Sequence, residues 1–362
     1  MKVGILTWYD VLNYGSFFQA YALQETLKEM EYEVEILRHD RVLPDYYGNR
    51  LTQRDLVGIL KWLRNQSPNR SRNRRHTKVK CDTFNSAREK YLSVGAHFSK
   101  TDADCVLIGS DQIFDINGMY YPFQFGGGVS CSHIGTYAPS FGETTLECLR
   151  QSEHYGEIVE SIRRLSAVNA RDRNTQQILA EIRGEKPEIV LDPTLLYSFK
   201  KEKETWNKRL VSEKYCLIYT WGGFTTSEVF SKQCIQFARN NGLKLVSVGE
   251  IRPWCDIQYA AASPVEFFEL FMHADMVLTN MFHGTCFSII MEKPFYSFVM
   301  SHNENKLGGL LRELGLESQI VRAPDITNRE LPIIDYCELK ATLDILRNNS
   351  IKDLLLEIGE NG

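Results

Sequence analysis

The sequence has little net charge. Its 362 residues hold 42 Lys and Arg against 46 Asp and Glu, a formal net charge of −4. A nucleic-acid coat protein is usually strongly basic, so this balance argues against that class. Long apolar runs are missing too. The longest uncharged stretch, Ile116 to Gly142, contains Pro122, Gly126-Gly127-Gly128 and Pro139, and reads as loops with a short strand. At the start, Met1-Lys2-Val3-Gly4-Ile5-Leu6-Thr7 is too short an apolar run for a signal peptide, and Trp8-Tyr9-Asp10 follows at once. No transmembrane segment is expected. The nine cysteines, Cys81, Cys105, Cys131, Cys148, Cys216, Cys234, Cys255, Cys286 and Cys337, form no CxxC pair. Reduced thiols in a cytosolic protein are the expectation, with no zinc site and no disulfide framework. Fingerprints of dinucleotide folds (GxGxxG), P-loops (GxxxxGK[ST]), hydrolase elbows (GxSxG) and zincins (HExxH) are absent.

What is present is a series of short β-branched and apolar runs, most followed by a helical pattern. The first set is Val3–Trp8, Val34–Leu37, Cys105–Ile108, Ile134–Tyr137, Ser166–Asn169 and Ile189–Leu191. The second is Tyr215–Tyr219, Leu243–Val248, Met276–Thr279 and Phe295–Val299. Strands alternating with helices predict parallel sheets built from βαβ units. The Lys- and Glu-rich stretch Phe199–Lys214 separates the two sets, so two α/β domains are expected, with a boundary near Leu195–Trp206. The division read from this is 1–198, 199–335 and a C-terminal helix over 336–362 that can pack back on the first domain. In the first helix Ala20, Leu23, Leu27 and Met30 make one apolar stripe, with Ser16 as a cap. Ser263-Pro264-Val265-Glu266 combines a capping box with proline at the first helical position.

Lys61–Lys80 stands apart, with eight Lys and Arg and no acidic residue. It fits an anionic partner, such as a phospholipid surface at the inner face of the membrane or a lipid-linked diphosphate; the plain alternative is a solvated loop and helix.

Ligands of open α/β sheets bind beyond the carboxyl ends of the strands, so the residues there are the candidates. After Met276–Thr279 comes Asn280-Met281-Phe282-His283-Gly284-Thr285, opening a helix. Free N–H groups at a helix start bind anions, and a histidine there can exchange a proton near neutral pH. His283 is therefore the candidate acid–base group, with Gly284 and Thr285 as an anion cradle. Arg171 offers a fixed charge for a carboxylate or phosphate, or an ion pair with Asp172. Asp111, after Gly109-Ser110, is a candidate base or hydroxyl-orienting group, or a turn cap. Asn13, Gly15 and Ser16 could contact an acceptor or cap a helix.

In order, Asn13-Tyr14-Gly15-Ser16, Gly109-Ser110-Asp111-Gln112, Tyr137-Ala138-Pro139-Ser140-Phe141-Gly142, Asn169-Ala170-Arg171-Asp172, Leu191-Asp192-Pro193-Thr194 and Phe282-His283-Gly284-Thr285 with Lys293-Pro294-Phe295 resemble the polysaccharide pyruvyl transferase family. The resemblance runs from about residue 1 to about 315. It implies two Rossmann-like α/β domains arranged as in GT-B glycosyltransferases, with the site in the interdomain cleft. It also implies transfer of the enolpyruvyl unit of phosphoenolpyruvate to a sugar of a polysaccharide or glycan precursor, forming a pyruvate ketal. On this resemblance His283 is catalytic, Arg171, Gly284 and Thr285 bind the donor, and Lys306 is a weaker match for a binding residue; from their places after the strands, Asp111 is added as a catalytic candidate and Asn13, Gly15, Ser16 and Ser110 as substrate-binding candidates. Phosphoenolpyruvate is a donor substrate; no resident cofactor or metal is implied. Where relatives often carry arginine two positions before the histidine, this chain has Met281. A nucleotide-sugar glycosyltransferase and a non-catalytic glycan-binding relative are the alternatives.

Overall fold

The structure, a computed structural model, describes residues 1–39, 70–117, 120–322 and 326–359. The first sheet contains β1 (Lys2–Leu6), β2 (Glu33–Arg38), β3 (Val94–His97), β4 (Cys105–Ile108) and β5 (Ile134–Thr136), in the order β3-β2-β1-β4-β5. All of its pairings are parallel, with Ile5 between Ile36 and Leu107. Helix α1 (Tyr14–Glu29) joins β1 to β2, and α2 (Arg70–Tyr91) precedes β3. Beyond β5 come α3 (Leu146–Gln151), α4 (Tyr155–Arg164), α5 (Arg173–Arg183), α6 (Pro193–Leu196) and α7 (Lys200–Thr205).

The second sheet is built from β6 (Tyr215–Tyr219), β7 (Lys244–Val248), β8 (Ile257–Tyr259), β9 (Met276–Thr279), β10 (Phe295–Phe298) and β11 (Ile320–Val321). Its order is β11-β10-β9-β6-β7-β8, again parallel, with Leu217 between Val246 and Val277. Its helices are α8 (Glu228–Asn240), α9 (Pro264–Met272), α10 (Phe282–Ile290) and α11 (Gly309–Glu313), with a π-helical turn over Glu304–Gly308. The capping box at Ser263 and Glu266 opens α9, with Pro264 at its first position. Central strands of parallel sheets are covered on both faces, which is why β1, β4, β6 and β9 read as unbroken apolar runs.

Two expected strands are not formed. In place of Ser166–Asn169 and Ile189–Leu191 there is one isolated bridge, from Ala170, just past the first run, to Ile189. Side chains occupy much of the edge of β5 that they would have paired with. Thr136 N–H donates to Glu357 Oε2, Asn169 N–H donates to Thr136 Oγ1, and Asn169 Oδ1 accepts from Ala138 N–H.

Helix α1 carries more than an apolar stripe. Residues 14–24 are all buried, because the helix lies between the two sheets. Tyr14 stacks on Phe267 at 4.3 Å and donates to Ala262 O, and Phe18 meets Phe287 at 4.7 Å. One apolar core therefore runs from the first sheet into the second. Its N-cap is Asn13, whose side chain accepts from Gly15 N–H; Ser16 does not cap it.

Of the basic segment, residues 61–69 lie outside those described, and 70–80 are helical. Lys80 is not a surface cation. Its ammonium donates to Gly249 O at 3.1 Å and lies 5.0 Å from the Tyr14 ring centroid, and burial lowers its pKa. Among the described residues, no helix is long and apolar enough to cross a membrane.

Helix α12 (Tyr336–Glu357) crosses back to the first sheet. Ser350 accepts from Leu191 N–H, Asp353 accepts from Asn169, and Glu357 is buried against Thr136. Burial drives the Glu357 carboxyl well above its usual pKa; the Thr136 N–H opposes this without cancelling it. The folded protein thus keeps a proton that the unfolded chain releases above roughly pH 4.3. Stability falls as pH rises from there toward the folded pKa, by up to about 1.4 kcal/mol per unit. Glu357→Gln keeps the acceptor for Thr136 and removes this titration. It should raise Tm at pH above neutral and flatten the fall of Tm with pH. Parallel Tm-against-pH curves for the two proteins would contradict this.

Candidate active site

Strand order reverses between β1 and β4 in the first sheet and between β9 and β6 in the second. Such reversals open a crevice at the carboxyl ends of the strands, where ligands of α/β folds bind. His283 enters it from the second sheet; α1, Asp111, Arg171 and Asp192 enter from the first.

Helix α10 begins at Phe282 with Met281 as a cap that supplies no side-chain acceptor. The first intrahelical bond is from Thr285 N–H to Met281 O, so the N–H groups of Phe282, His283 and Gly284 precede the helical ladder. This end suits an anion. Its approach to the strand ends depends on Gly284, because a methyl group there would overlap Thr279 Oγ1 and press on the Tyr219 ring.

Asp192 connects the site. It caps α6, with its Oδ1 accepting from Thr194 N–H and Thr194 Oγ1. Its Oδ2 accepts from Arg171 Nη1 at 2.8 Å and lies 3.5 Å from His283 Nε2, an ion-pair distance too long for a strong hydrogen bond. Burial raises the Asp192 carboxyl, but His283, Arg171 and Thr194 outweigh it and hold the group well below the usual carboxylate range. Asp192 is therefore a fixed anion behind the histidine. It stands in the motif Leu191-Asp192-Pro193-Thr194, where capping alone accounts for it; nothing local signals the second task.

Arg171 is buried, with Nη1 also 3.5 Å from Asp111 Oδ1. Its guanidinium lies 4.7 Å from the Phe282 ring centroid, and its Nε has no hydrogen-bond partner. The alternative read from the sequence, an ion pair with Asp172, is not formed; Asp192 is the partner, since Asp172 caps α5 and accepts from Ser140. Asp111 accepts from Ser16 Oγ at 2.8 Å. Burial raises its pKa, yet Arg171, His283 and Ser16 prevail and keep it low. Lys306, on the π-helical turn, has no hydrogen-bond or ion-pair partner among the described residues. Burial lowers its pKa, Arg171 lowers it further, and Asp111 opposes both. Its unmatched charge faces the cluster, close enough to Arg171 for the two cations to repel.

Gly15 lies against the imidazole. A methyl group on its Cα would overlap Nδ1, Cγ and Cε1 of His283. The structure thus brings together His283, Gly15, Ser16, Asp111, Arg171 and Lys306, with Asp192 added. Three expected ligands turn elsewhere. Thr285 is fully buried, its hydroxyl 2.6 Å from Ser297 Oγ and its N–H bonded to Met281 O. Ser110 is fully buried, and both its N–H and hydroxyl donate to Gln19 Oε1. Asn13 uses its side chain to cap α1. Met281, two positions before the histidine, packs on the apolar core.

Two parallel α/β units that meet around a buried histidine, an arginine and paired carboxylates define a two-domain enzyme of GT-B architecture. The chain belongs to the polysaccharide pyruvyl transferase family, which it matches over residues 13–302. No curated protein matches it by sequence. Among solved structures, a trehalose-6-phosphate synthase is 9% identical with a TM-score of 0.50, over 98% of this chain and 96% of that one. The UDP-GlcNAc 2-epimerase of Methanocaldococcus jannaschii is 11% identical with a TM-score of 0.46, over 96% and 93%. The heptosyltransferase WaaC of E. coli is 12% identical with a TM-score of 0.40, over 96% and 100%. At these identities the likeness is one of fold.

Proposed function

We propose that the protein transfers the enolpyruvyl group of phosphoenolpyruvate to a glycan precursor and closes it as a cyclic ketal. The observation that carries this reading is His283 at an uncapped helix start, backed by ionised Asp192 and flanked by Arg171 and the unpartnered Lys306. A small ligand with both a carboxylate and a phosphate matches two cations and one set of free N–H groups.

In the first step, a sugar hydroxyl oxygen bonds to C2 of phosphoenolpyruvate while the C2–C3 double bond takes the proton of His283 at C3. Asp111 accepts the hydrogen bond of that hydroxyl, whose proton passes to a phosphate oxygen and leaves with the phosphate in the second step. With its low pKa, Asp111 serves more by orienting that hydroxyl than as a strong base. In the second step, a neighbouring hydroxyl bonds to C2, the C2–O bond to phosphate breaks, and inorganic phosphate leaves. That hydroxyl's proton returns to the imidazole, which restores the acid. Arg171 holds the carboxylate end and the start of α10 the phosphate.

The test is phosphate release from phosphoenolpyruvate by the purified protein with a panel of nucleotide- and lipid-linked sugars. Release that requires a sugar with two neighbouring free hydroxyls is expected. No release with any acceptor, from folded protein, would count against the proposal.

A further inference from the structure

Trp221 is 65% exposed, although large aromatic side chains normally bury most of their surface. It lies two residues beyond β6, on the crevice side of the strand-order reversal in the second sheet. Its main chain is held on both sides by one residue: Asn280 Oδ1 accepts from Trp221 N–H at 2.9 Å, and Asn280 Nδ2 donates to Trp221 O at 2.8 Å. Asn280 opens the segment that leads into His283, and its carbonyl accepts from Asn303, just ahead of the turn that carries Lys306. The rest of the loop is also braced. Buried Arg252 donates from Nη2 to Thr220 O and from Nη1 to Thr225 O, and Thr225 Oγ1 donates to Gly222 O. The main chain of the turn is therefore braced and tied to the elements that carry the histidine and the lysine, and the indole stands exposed on it.

We infer that Trp221 is the stacking platform for the acceptor sugar: its indole face takes the apolar C–H face of a hexopyranose, whose hydroxyls then point toward Asp111 and His283. This rests on the proposed function for the identity of the acceptor. The platform fits a neutral pyranose ring rather than the anionic donor, because an indole face is the negative pole of the ring quadrupole and repels anions. The cations Arg171 and Lys306 serve the donor, and the sugar, which carries no charge, needs area.

The experiment has two arms. In the first, tryptophan emission of the full chain and of Trp221→Phe is followed with the methyl glycosides of β-galactose, β-glucose and N-acetyl-β-mannosamine, without donor. At least one glycoside should change the emission of the parent protein, and the change should vanish in Trp221→Phe. An equal change in both proteins, or none in the parent with any of the three, overturns the platform. In the second arm, Trp221→Ala should raise the acceptor KM about tenfold with the KM for phosphoenolpyruvate held, and Trp221→Phe should recover about a third of the loss. An unchanged acceptor KM overturns the platform while leaving the proposed reaction intact. A glycoside response in the first arm with no phosphate release in any assay upholds the platform and sinks the pyruvyl reaction.

Discussion

His283→Ala should lower the rate of phosphate release by about 10²–10⁴-fold, the range for loss of a general acid, with the KM for phosphoenolpyruvate changed far less. The protein should remain folded. Asp192 keeps Arg171 and Thr194 as partners when the imidazole is removed, so its charge is not orphaned. A single-turnover assay reads the chemical step, and thermal unfolding checks the fold. Retention of more than a tenth of the activity would remove His283 from the reaction. Gly15→Ala provides an independent check. Gly15 is helical and does not adopt a positive φ, so an alanine there strains no backbone angle. Contact with the imidazole is what requires glycine. The added methyl group would displace the ring while leaving every charge in place, and a shift of about 1 Å at a reacting group can cost about 10²-fold. If Gly15→Ala is as active as the parent protein, the ring is not held in its working position by α1.

The central strands were legible because both faces of a parallel sheet are covered, which leaves runs such as Cys105–Ile108 and Met276–Thr279. The edge strands β3, β8 and β11 leave no such run in the sequence, because they are short and part-exposed, with Val94 39% exposed. His283 could be read from its place after β9. Thr285 could not be placed the same way: two residues advance about 200° round a helix, so it faces Ser297 in the sheet while His283 faces the crevice. Asp192 was hidden by its own good local explanation. An aspartate before proline at a short helix is a sufficient cap, and only the packing of α6 against α10 shows that its second oxygen faces a histidine. Likewise nothing in the composition near Ser110 reveals Gln19, ninety-one positions earlier, as the group that consumes its donors.

Arg171→Met should abolish turnover and also destabilise the protein, by about 3–5 kcal/mol, because it leaves the buried Asp192 carboxylate and its neighbour Asp111 without their shared cation. Separating the two losses is the purpose of the double variant Arg171→Met with Asp192→Asn. Asparagine keeps an acceptor for Thr194 and carries no charge, so the double variant should recover much of the Tm lost by the single one. Its activity should stay lost, since the cation for the donor is still missing and the anion behind His283 is now gone as well. Recovery of both would reduce Arg171 to a structural ion pair. The pH dependence gives a second handle. In the parent protein, Asp192 and Asp111 titrate below the unfolded carboxylate value of about 3.9. They therefore contribute stability that is present above that pH and lost as pH falls through their folded values. Removing Arg171 takes away one of the interactions that hold both groups low. Their folded pKa values rise, so protonation relieves the single variant at milder acidity than the parent. Its Tm deficit should narrow as pH is lowered below about 4, where the parent loses this stabilisation first, while the double variant should show a smaller narrowing. A deficit in the single variant that stays constant across that range would mean the two carboxylates do not depend on the arginine for their charge.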